Sequence, residues 1–381
     1  MTDLKRVDVA IAGGGIVGCA CALACAKRGF RVAVVERDVP GSGATAAGMG
    51  HVVVMDDSEA QFALTRYSRQ LWTELKLCSS VQYLPAGTLW VAADGEELEA
   101  AEQKRKWYSE RGVDCRMIGA GQLPAEEPNL AEGLAGGLLV EDDAVVYPPG
   151  AALELARRAE RLGAQFFVGR SVQSMGNQRM LLDDGTEIQA ERLVDALGAY
   201  ATKLMPELPV RKRKGHLAIT DRYPGFVRHQ LVELGYLKSA HGTAEDSVAF
   251  NVQPRPSGQV LIGSSRQFDA ETTEVDREML SRMLARASLY MPRLGELSVI
   301  RVWTGFRAAT PDKLPLIGPA PEDASLWLAT GHEGLGITTS LATAELLAAA
   351  FTGSEPPIAA EPYLPARLMQ QTKNDGIRED V

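Results

Sequence analysis

Apolar residues are distributed along the chain in two distinct ways. Val7–Ala12 and Val32–Val35 are short, nearly unbroken apolar runs of the kind a parallel strand covered on both faces requires. Between them, Gly13-Gly14-Gly15 interrupts the run, and small residues follow from Ile16 to Lys27, with Gly29 placed to end a helix. The pattern predicts strand, turn, helix and strand: a βαβ unit of about 30 residues with a right-handed crossover. Farther on, an amphipathic helix is expected over Glu59–Cys78, and strand with turns over Gln82–Val91. A heavily charged surface helix is expected over Glu96–Arg111, and another helix over Ala151–Leu162, introduced by Pro148-Pro149. Met180–Asp195 predicts a hairpin turning at Asp184-Gly185, leading into a buried strand over Arg192–Leu197. From about Gly215 to Ile300 strands and turns dominate, for example Val248–Val252 and Gln259–Ser264, with one helix near Asp276–Tyr290. A strand at Trp327–Ala329 and a long helix over Gly336–Phe351 complete the pattern.

Composition narrows what such a chain can do. Its 381 residues, 45% of them hydrophobic, suffice for two or three lobes with cores of their own. Forty Lys and Arg against 49 Asp and Glu leave a net charge of −9, which argues against a nucleic-acid partner, whose phosphates need a broad basic surface. Arg211-Lys212-Arg213-Lys214 runs against that balance; it reads as a solvated loop or strand end, or as a docking or substrate-steering patch. The cysteines, Cys19, Cys21, Cys25, Cys78 and Cys115, form no C-x-x-C pair and have no histidine at zinc spacing. Free thiols in a reducing compartment and no structural metal are therefore expected. Val7–Ala26 carries a single charge, Asp8, and follows Lys5-Arg6, which gives it the outline of a leader or a short membrane span. The glycine run and the continuation into Arg31–Glu36 fit the βαβ unit better, so a cytoplasmic protein without a transmembrane segment is expected.

The first candidate chemistry lies inside that unit. Gly13-x-Gly15-x-x-Gly18 follows a strand and opens a helix, where the three glycines allow a tight turn, close backbone approach to a pyrophosphate, and close packing of helix on strand. Glu36, 18 residues after Gly18 at the end of the second strand, is placed to accept hydrogen bonds from ribose hydroxyls and to repel a 2′-phosphate. A dinucleotide is thus expected, FAD or NAD, on an α/β fold: a Rossmann-like parallel sheet domain with an inserted mixed or antiparallel α+β substrate domain. The expected division gives 1–78, 148–214 and 301–365 to the dinucleotide domain, 79–147 and 215–300 to the inserted one, and 366–381 to a polar tail.

Three further segments favour FAD. Gly41–Gly50 is a run of small residues that lets a long cofactor lie against backbone. Ala196-Leu197-Gly198-Ala199-Tyr200 follows the buried strand and is similar to an A-x-G-A-W/Y stretch closing over adenosine. Ala329–Ser340, with the sequence ATGHEGLGITTS, leads from a strand into a helix whose N-terminus can stabilise an anionic reduced flavin. Together these resemble the FAD-dependent amine oxidoreductases that include glycine oxidase, sarcosine oxidase and D-amino-acid dehydrogenases, over about Val7–Pro365. The last segment is most similar to flavoprotein subunits of bacterial amino-acid dehydrogenases, that of D-hydroxyproline dehydrogenase in particular.

The resemblance implies oxidation of the α-C–H beside an amine, with hydride passing to flavin N5 and a small amino or imino acid as substrate. Electrons then go either to oxygen or to partner subunits. It implies non-covalent FAD, because Leu138–Pro149 holds no histidine and Gly305–Gly318 no cysteine. The implied cofactor contacts are Gly13, Gly15, Ile16, Val17, Gly18, Glu36 and Arg37 in the first unit, and Gly43, Ala44, Thr45, Ala47, Gly48 and Met49 in the small-residue loop. Ala196, Gly198, Gly305 and the stretch His332, Glu333, Gly334, Leu335, Gly336, Ile337 and Thr338 complete them. In the W-x-G-x-R-type stretch Trp303–Arg307, Arg307 matches the arginine that clamps the substrate carboxylate, a role suited to a planar guanidinium. Met49, His51, Phe250 and Glu333 are expected around the substrate, Phe250 shaping the pocket. An NAD-dependent dehydrogenase and a non-catalytic flavin electron-transfer subunit are the rival classes. The first leaves the carboxy-terminal glycine segment without a use, and Trp303–Arg307 weighs against the second.

Overall fold

A computed structural model describes residues 5–235, 246–268 and 270–369. The first sheet has the order Leu316–Ala320, Asp323–Thr330, Glu187–Asp195, Lys5–Ala12, Val32–Glu36 and Gln165–Val168, with the hairpin strands Val172–Gly176 and Arg179–Leu182 attached at Glu187–Asp195. The central pairs are parallel. Strand alternation sends Val9 and Ile11 into one core with the helices Ile16–Lys27, Pro148–Arg161 and Gly336–Thr352, while Ala10 and Ala12 enter a second core on the opposite face. Both faces are covered, which is why the sequence reads as an unbroken apolar run. Burial pushes the thiols of Cys19, Cys21 and Cys25 up, Cys25 to about 12, so they are packing groups.

The second sheet runs Val299–Ala309, Arg211–Arg222, Gln259–Arg266, Ser247–Pro254, Gln230–Glu233, Thr88–Ala92, Gly136–Val140 and Cys115–Gly119. Its pairs are antiparallel except Gln230–Glu233 on Thr88–Ala92. The helix Arg277–Tyr290, capped by Asp276 through the N–H groups of Glu278 and Met279, packs Met283, Ala287 and Tyr290 on one face of this sheet. The expected boundaries at 214/215 and 300/301 fall inside two continuous strands of this sheet, Arg211–Arg222 and Val299–Ala309, which pair along their length.

Arg211–Lys214 is a strand end, one of the readings expected for it, and neither a solvated loop nor a basic docking surface: it opens the strand Arg211–Arg222 with Arg213 and Lys214 buried, Arg213 paired with Glu333 and Lys212 with Glu271. A run of like charges in a strand is divided between two faces, so it does not make one patch. The charged helix, Gly95–Glu110, lies on the surface as expected and buries one face through Ala101, Lys104 and Tyr108; Lys104 pairs with Asp56 beneath it, 4.7 Å from the Trp90 ring centre. Among the described residues no helix is long and apolar enough to cross a membrane, and no group of three or more His, Cys, Asp or Glu could hold a metal ion.

Candidate active site

The glycine turn has no room for side chains. A Cβ on Gly13, whose φ is +102°, would lie 2.6 Å from the Ala196 carbonyl oxygen. One on Gly18 would lie 1.9 Å from the Gly13 carbonyl oxygen, and one on Gly15 3.3 Å from Thr45 Oγ1. Thr45 Oγ1 accepts the Ile16 N–H at 2.9 Å, and Glu36 Oε2 accepts the Gly14 N–H at 2.7 Å. Glu36 Oε1 takes the Asp38 N–H at 2.8 Å and the Ser42 hydroxyl at 3.2 Å. A carboxylate offers about four acceptor positions, so one remains toward the cavity that Glu36 lines. Gly14, outside the three-glycine motif, is required too: its Cβ would meet Glu36 Cβ at 2.9 Å.

That cavity measures about 750 Å³ and extends from Glu36, Arg37 and Tyr200 to the second sheet. It brings together residues expected from all four segments: the glycine turn, Gly43–His51, Ala196–Gly198 and Gly305–Ile337. Gly18 lies outside its lining, in the contact of helix with turn. Thr338 also lies outside it and donates to the His51 carbonyl oxygen at 2.8 Å.

In the middle of the cavity, glycine main chain packs closely against small apolar side chains. A Cβ on Gly305 would lie 2.3 Å from Ala47 Cβ, and one on Gly48 2.7 Å from Ile337 Cδ1. The helix Gly336–Thr352 presents its first turn here with no side-chain cap, so its N–H groups and positive dipole end face the cavity. His332 directs Nε2 to Thr343 Oγ1 at 3.0 Å, and burial pulls its pKa down to about 3, so the ring anchors the loop as a neutral group. Glu333 sits at φ +54°, donates its N–H to the Ala308 carbonyl at 2.8 Å, and pairs with Arg213.

Arg307 is the cross-strand partner of Arg213. Its guanidinium lies over Gly215, where a Cβ would come within 2.8 Å of Nη1 and Nη2, and Nη1 donates to the Ser265 carbonyl at 2.9 Å. Met49 contacts the same sheet: a Cβ on Gly263 would lie 2.9 Å from its sulfur. The Met49 carbonyl accepts Gln253 Nε2 at 2.7 Å and Arg255 Nη2 at 2.9 Å. Burial lowers Arg255 to about 10; burial and then the Arg255 charge lower His51 to about 4. His51 Nε2 has no hydrogen-bond partner among the described residues.

Phe250 is a correction. It is fully buried on the far face of the second sheet, stacked on Tyr290 with ring centres 4.6 Å apart, and Asn251 lines the cavity instead. Adjacent strand residues face opposite ways, so a one-residue slip moves the pocket residue into the core. Sequence reasoning missed Asn251, Gln230, Trp90, Arg213 and Arg266 in the cavity wall, and the Gln253–Arg255 clamp behind Met49. The signal available was strand alternation across Ser247–Pro254, which places Asn251 and Gln253 on one face.

A family model described as FAD dependent oxidoreductase matches residues 8–350. The chain is 28% identical to a glycine oxidase of Pseudomonas aeruginosa, over 94% of this chain and 98% of that one. It is 31% identical to the bifunctional protein ThiO/ThiG of Trichormus variabilis over 90% of this chain, and it spans about half (52%) of that relative's length. Its structure is similar to the crystal structure of glycine oxidase from Geobacillus kaustophilus, with a TM-score of 0.86, 26% identity, and coverage of 95% and 99% of the two chains. The fold of L-proline dehydrogenase from P. horikoshii matches with a TM-score of 0.87 at 22% identity, covering 96% and 99%. The residues present fit FAD: a cradle where side chains are excluded, an acid with acceptor capacity at its far end, and an uncapped helix N-terminus in the middle. With that fit and a family match over most of its length, the chain belongs to the FAD-dependent oxidoreductase family.

Proposed function

We propose that this protein oxidises the C–N bond of a small amino or imino acid, of the D-proline or D-hydroxyproline kind, to an imine, and passes the electrons to partner subunits. The observation that carries the amino-acid reading is Arg307: a guanidinium laid across a glycine, fixed through Nη1, beside the backbone junction of Gly305 with Ala47. Bound FAD supplies the two-electron acceptor, held by Gly13, Gly15, Glu36, Gly48, Gly305 and the first turn of Gly336–Thr352. Arg307 holds the substrate carboxylate and so fixes the α-carbon. Gly215 leaves room for the guanidinium, and Ser265 limits its swing. The Arg213–Glu333 pair contributes no net charge, and a neutral His51 does not repel the substrate nitrogen. Delivery to partner subunits rests on the likeness of the ATGHEGLGITTS stretch to dehydrogenase subunits. The alternative, oxygen as acceptor, is favoured by the glycine oxidases among the similar proteins.

The test is anaerobic bleaching of the bound flavin by proline derivatives, glycine, sarcosine and D-amino acids. Arg307→Ala should lower kcat/KM by about two to four decades, the consequence of about 3–5 kcal/mol lost with one partner of a buried charged pair. Arg307→Lys should recover part of this, since the charge returns without the fork, and FAD content should stay normal in both. Wild-type reduction by Arg307→Ala with unchanged half-saturation defeats the amino-acid reading. Rapid substrate-dependent peroxide formation by this chain alone selects the oxidase alternative.

A further inference from the structure

Beyond Arg307, the second sheet carries a group of polar atoms that the chemistry above does not use. Trp90, Val232 and Asn251 are direct neighbours across three strands, and all three line the cavity. Gln230 lies two residues before Val232 and lines it as well. Trp90, Gln230 and Asn251 are 3%, 2% and 6% exposed, yet Trp90 Nε1, Gln230 Oε1 and Asn251 Oδ1 each lack a hydrogen-bond partner among the described residues, Asn251 facing the His51 ring without closing a bond to it. Buried polar atoms in a folded protein are nearly always satisfied, so a cluster of three in a cavity wall marks a place where something else bonds.

Position and charge say what that is. The Arg307 guanidinium reaches Ser265, on the strand where Gly263 pairs with Asn251. Asn251 is therefore one strand across and about two residues along from the guanidinium's anchor, roughly 8 Å at ordinary sheet spacings. That leaves room for the body of a small amino acid between them. The charged groups packed on the cluster are already engaged: Lys104 above Trp90 pairs with Asp56, and Arg255 is bonded to the Met49 and Val146 carbonyls, while Arg213 and Arg266 line the cavity on the Arg307 side. A charged substituent here would be desolvated without a counter-ion. A hydroxyl suits the atoms present, since it donates to a carboxamide oxygen and accepts from an N–H.

Resting on the amino-acid reading, we propose that Asn251, Gln230 and Trp90 form a specificity subsite for a neutral polar group, a hydroxyl above all, on the substrate's side chain or ring. The site then discriminates against the otherwise identical substrate without that group, which would leave these atoms buried and unpaired.

The experiment measures kcat/KM for anaerobic reduction of the FAD-loaded protein with substrate pairs differing by one hydroxyl: 4-hydroxyproline and proline, serine and alanine, in both enantiomers. The wild-type ratio should favour the hydroxylated member of at least one pair roughly 10- to 100-fold. In Asn251→Leu and, separately, Gln230→Met, that ratio should fall toward one, with flavin-to-protein ratio and thermal unfolding as folding controls. Either variant, if folded, decides the matter. A wild-type ratio near one, or a ratio undiminished in a fully FAD-loaded variant, overturns the subsite while the amino-acid reading stands. Preference for a charged side chain, aspartate or lysine, also overturns it. Reduction by none of the amino acids removes the amino-acid reading and the subsite together.

Discussion

At the Glu36 end of the cavity the wall is main chain, and its precision comes from side chains that are missing. Cβ atoms on Gly13, Gly14 and Gly18 would all fall within 3.0 Å of neighbouring atoms, and one acidic residue serves the turn and the loop after it through three hydrogen bonds. At the Arg307 end the wall is side chains from six strands: Trp90, Gln230, Asn251, Ser264, Arg213 and Arg307 itself. The first construction binds a part common to every reaction of the cofactor and tolerates little change. The second sorts substrates and can be altered one side chain at a time. Substitutions at the two ends should therefore fail differently, by losing cofactor at one and by losing discrimination or rate at the other.

The strongest test is Gly18→Val. Its Cβ would lie 1.9 Å from the Gly13 carbonyl oxygen, a clash with backbone that only separation of helix and strand relieves. No soluble, FAD-loaded protein should be recovered, as read by flavin absorbance per protein. Gly29→Ala, just past the end of the same helix and outside the cavity lining, is the control: its φ of +83° makes alanine cost about 1 kcal/mol, but nothing lies within 4 Å of the added carbon. Equal FAD loss in both would show that general destabilisation, not the close approach, sets the loss.

Glu36→Ala comes next. It removes the acceptor of the Gly14 and Asp38 N–H groups and the one toward the cavity; about 1–3 kcal/mol for the one cofactor donor left unpaired gives about one to two decades in the FAD Kd. A dilution series of the holoprotein followed by flavin fluorescence measures it. Undiminished retention would separate the loop-fixing role of Glu36 from any contact with cofactor. At the other end, Gly215→Ala places a methyl within 2.8 Å of the Arg307 guanidinium without touching the cradle. Half-saturation for substrate should rise roughly tenfold, the effect of a misplaced positioning group, while FAD content stays full. If FAD is lost instead, the two ends are mechanically coupled and the comparison breaks.

The same contrast explains what the chain makes legible. Strand, turn, helix, strand and Glu36 lie within one short stretch, and each glycine there has a mechanical reason that spacing alone reveals. Gly48, Gly305 and Ile337 meet in the fold, but only resemblance to a family links them beforehand, since nothing local joins them. The substrate wall is assembled by register: Gln230 touches Thr88 across 142 positions, and no periodicity in either strand announces the contact. Phe250 and Asn251 show the limit directly, because the strand was identifiable while its facing was not. Arg213 was hidden by its neighbours, since a four-residue basic run looks solvated until a strand divides it and Glu333 meets one half.

The smallest expected effect belongs to Asp195, a side chain at the main-chain end that neither the cradle nor the substrate wall needs. It ends the strand Glu187–Asp195, is fully buried, accepts the Leu197 N–H through Oδ1 at 2.9 Å, and has no partner for Oδ2 among the described residues. Burial pushes its pKa up to about 6. An acid whose folded pKa exceeds its unfolded value near 3.8 is most favourable below that value; its contribution falls as pH rises through 4 to 6, leaving the full cost of a buried charge at neutral pH. His51 and His332, lowered to about 4 and about 3, act in the opposite sense: their contribution is complete above about 6.5 and is lost as pH falls below it. Asp195→Asn keeps an acceptor for Leu197 and removes the charge, so it should gain about 1–2 kcal/mol at pH 7.5, or roughly 1–3 °C in Tm, and almost nothing at pH 4. Thermal unfolding of holoprotein at the two pH values decides it. A gain of equal size at both would assign the effect to packing, and no gain at pH 7.5 would mean that the buried carboxyl finds a partner when FAD is bound, drawing Asp195 into the cofactor site after all.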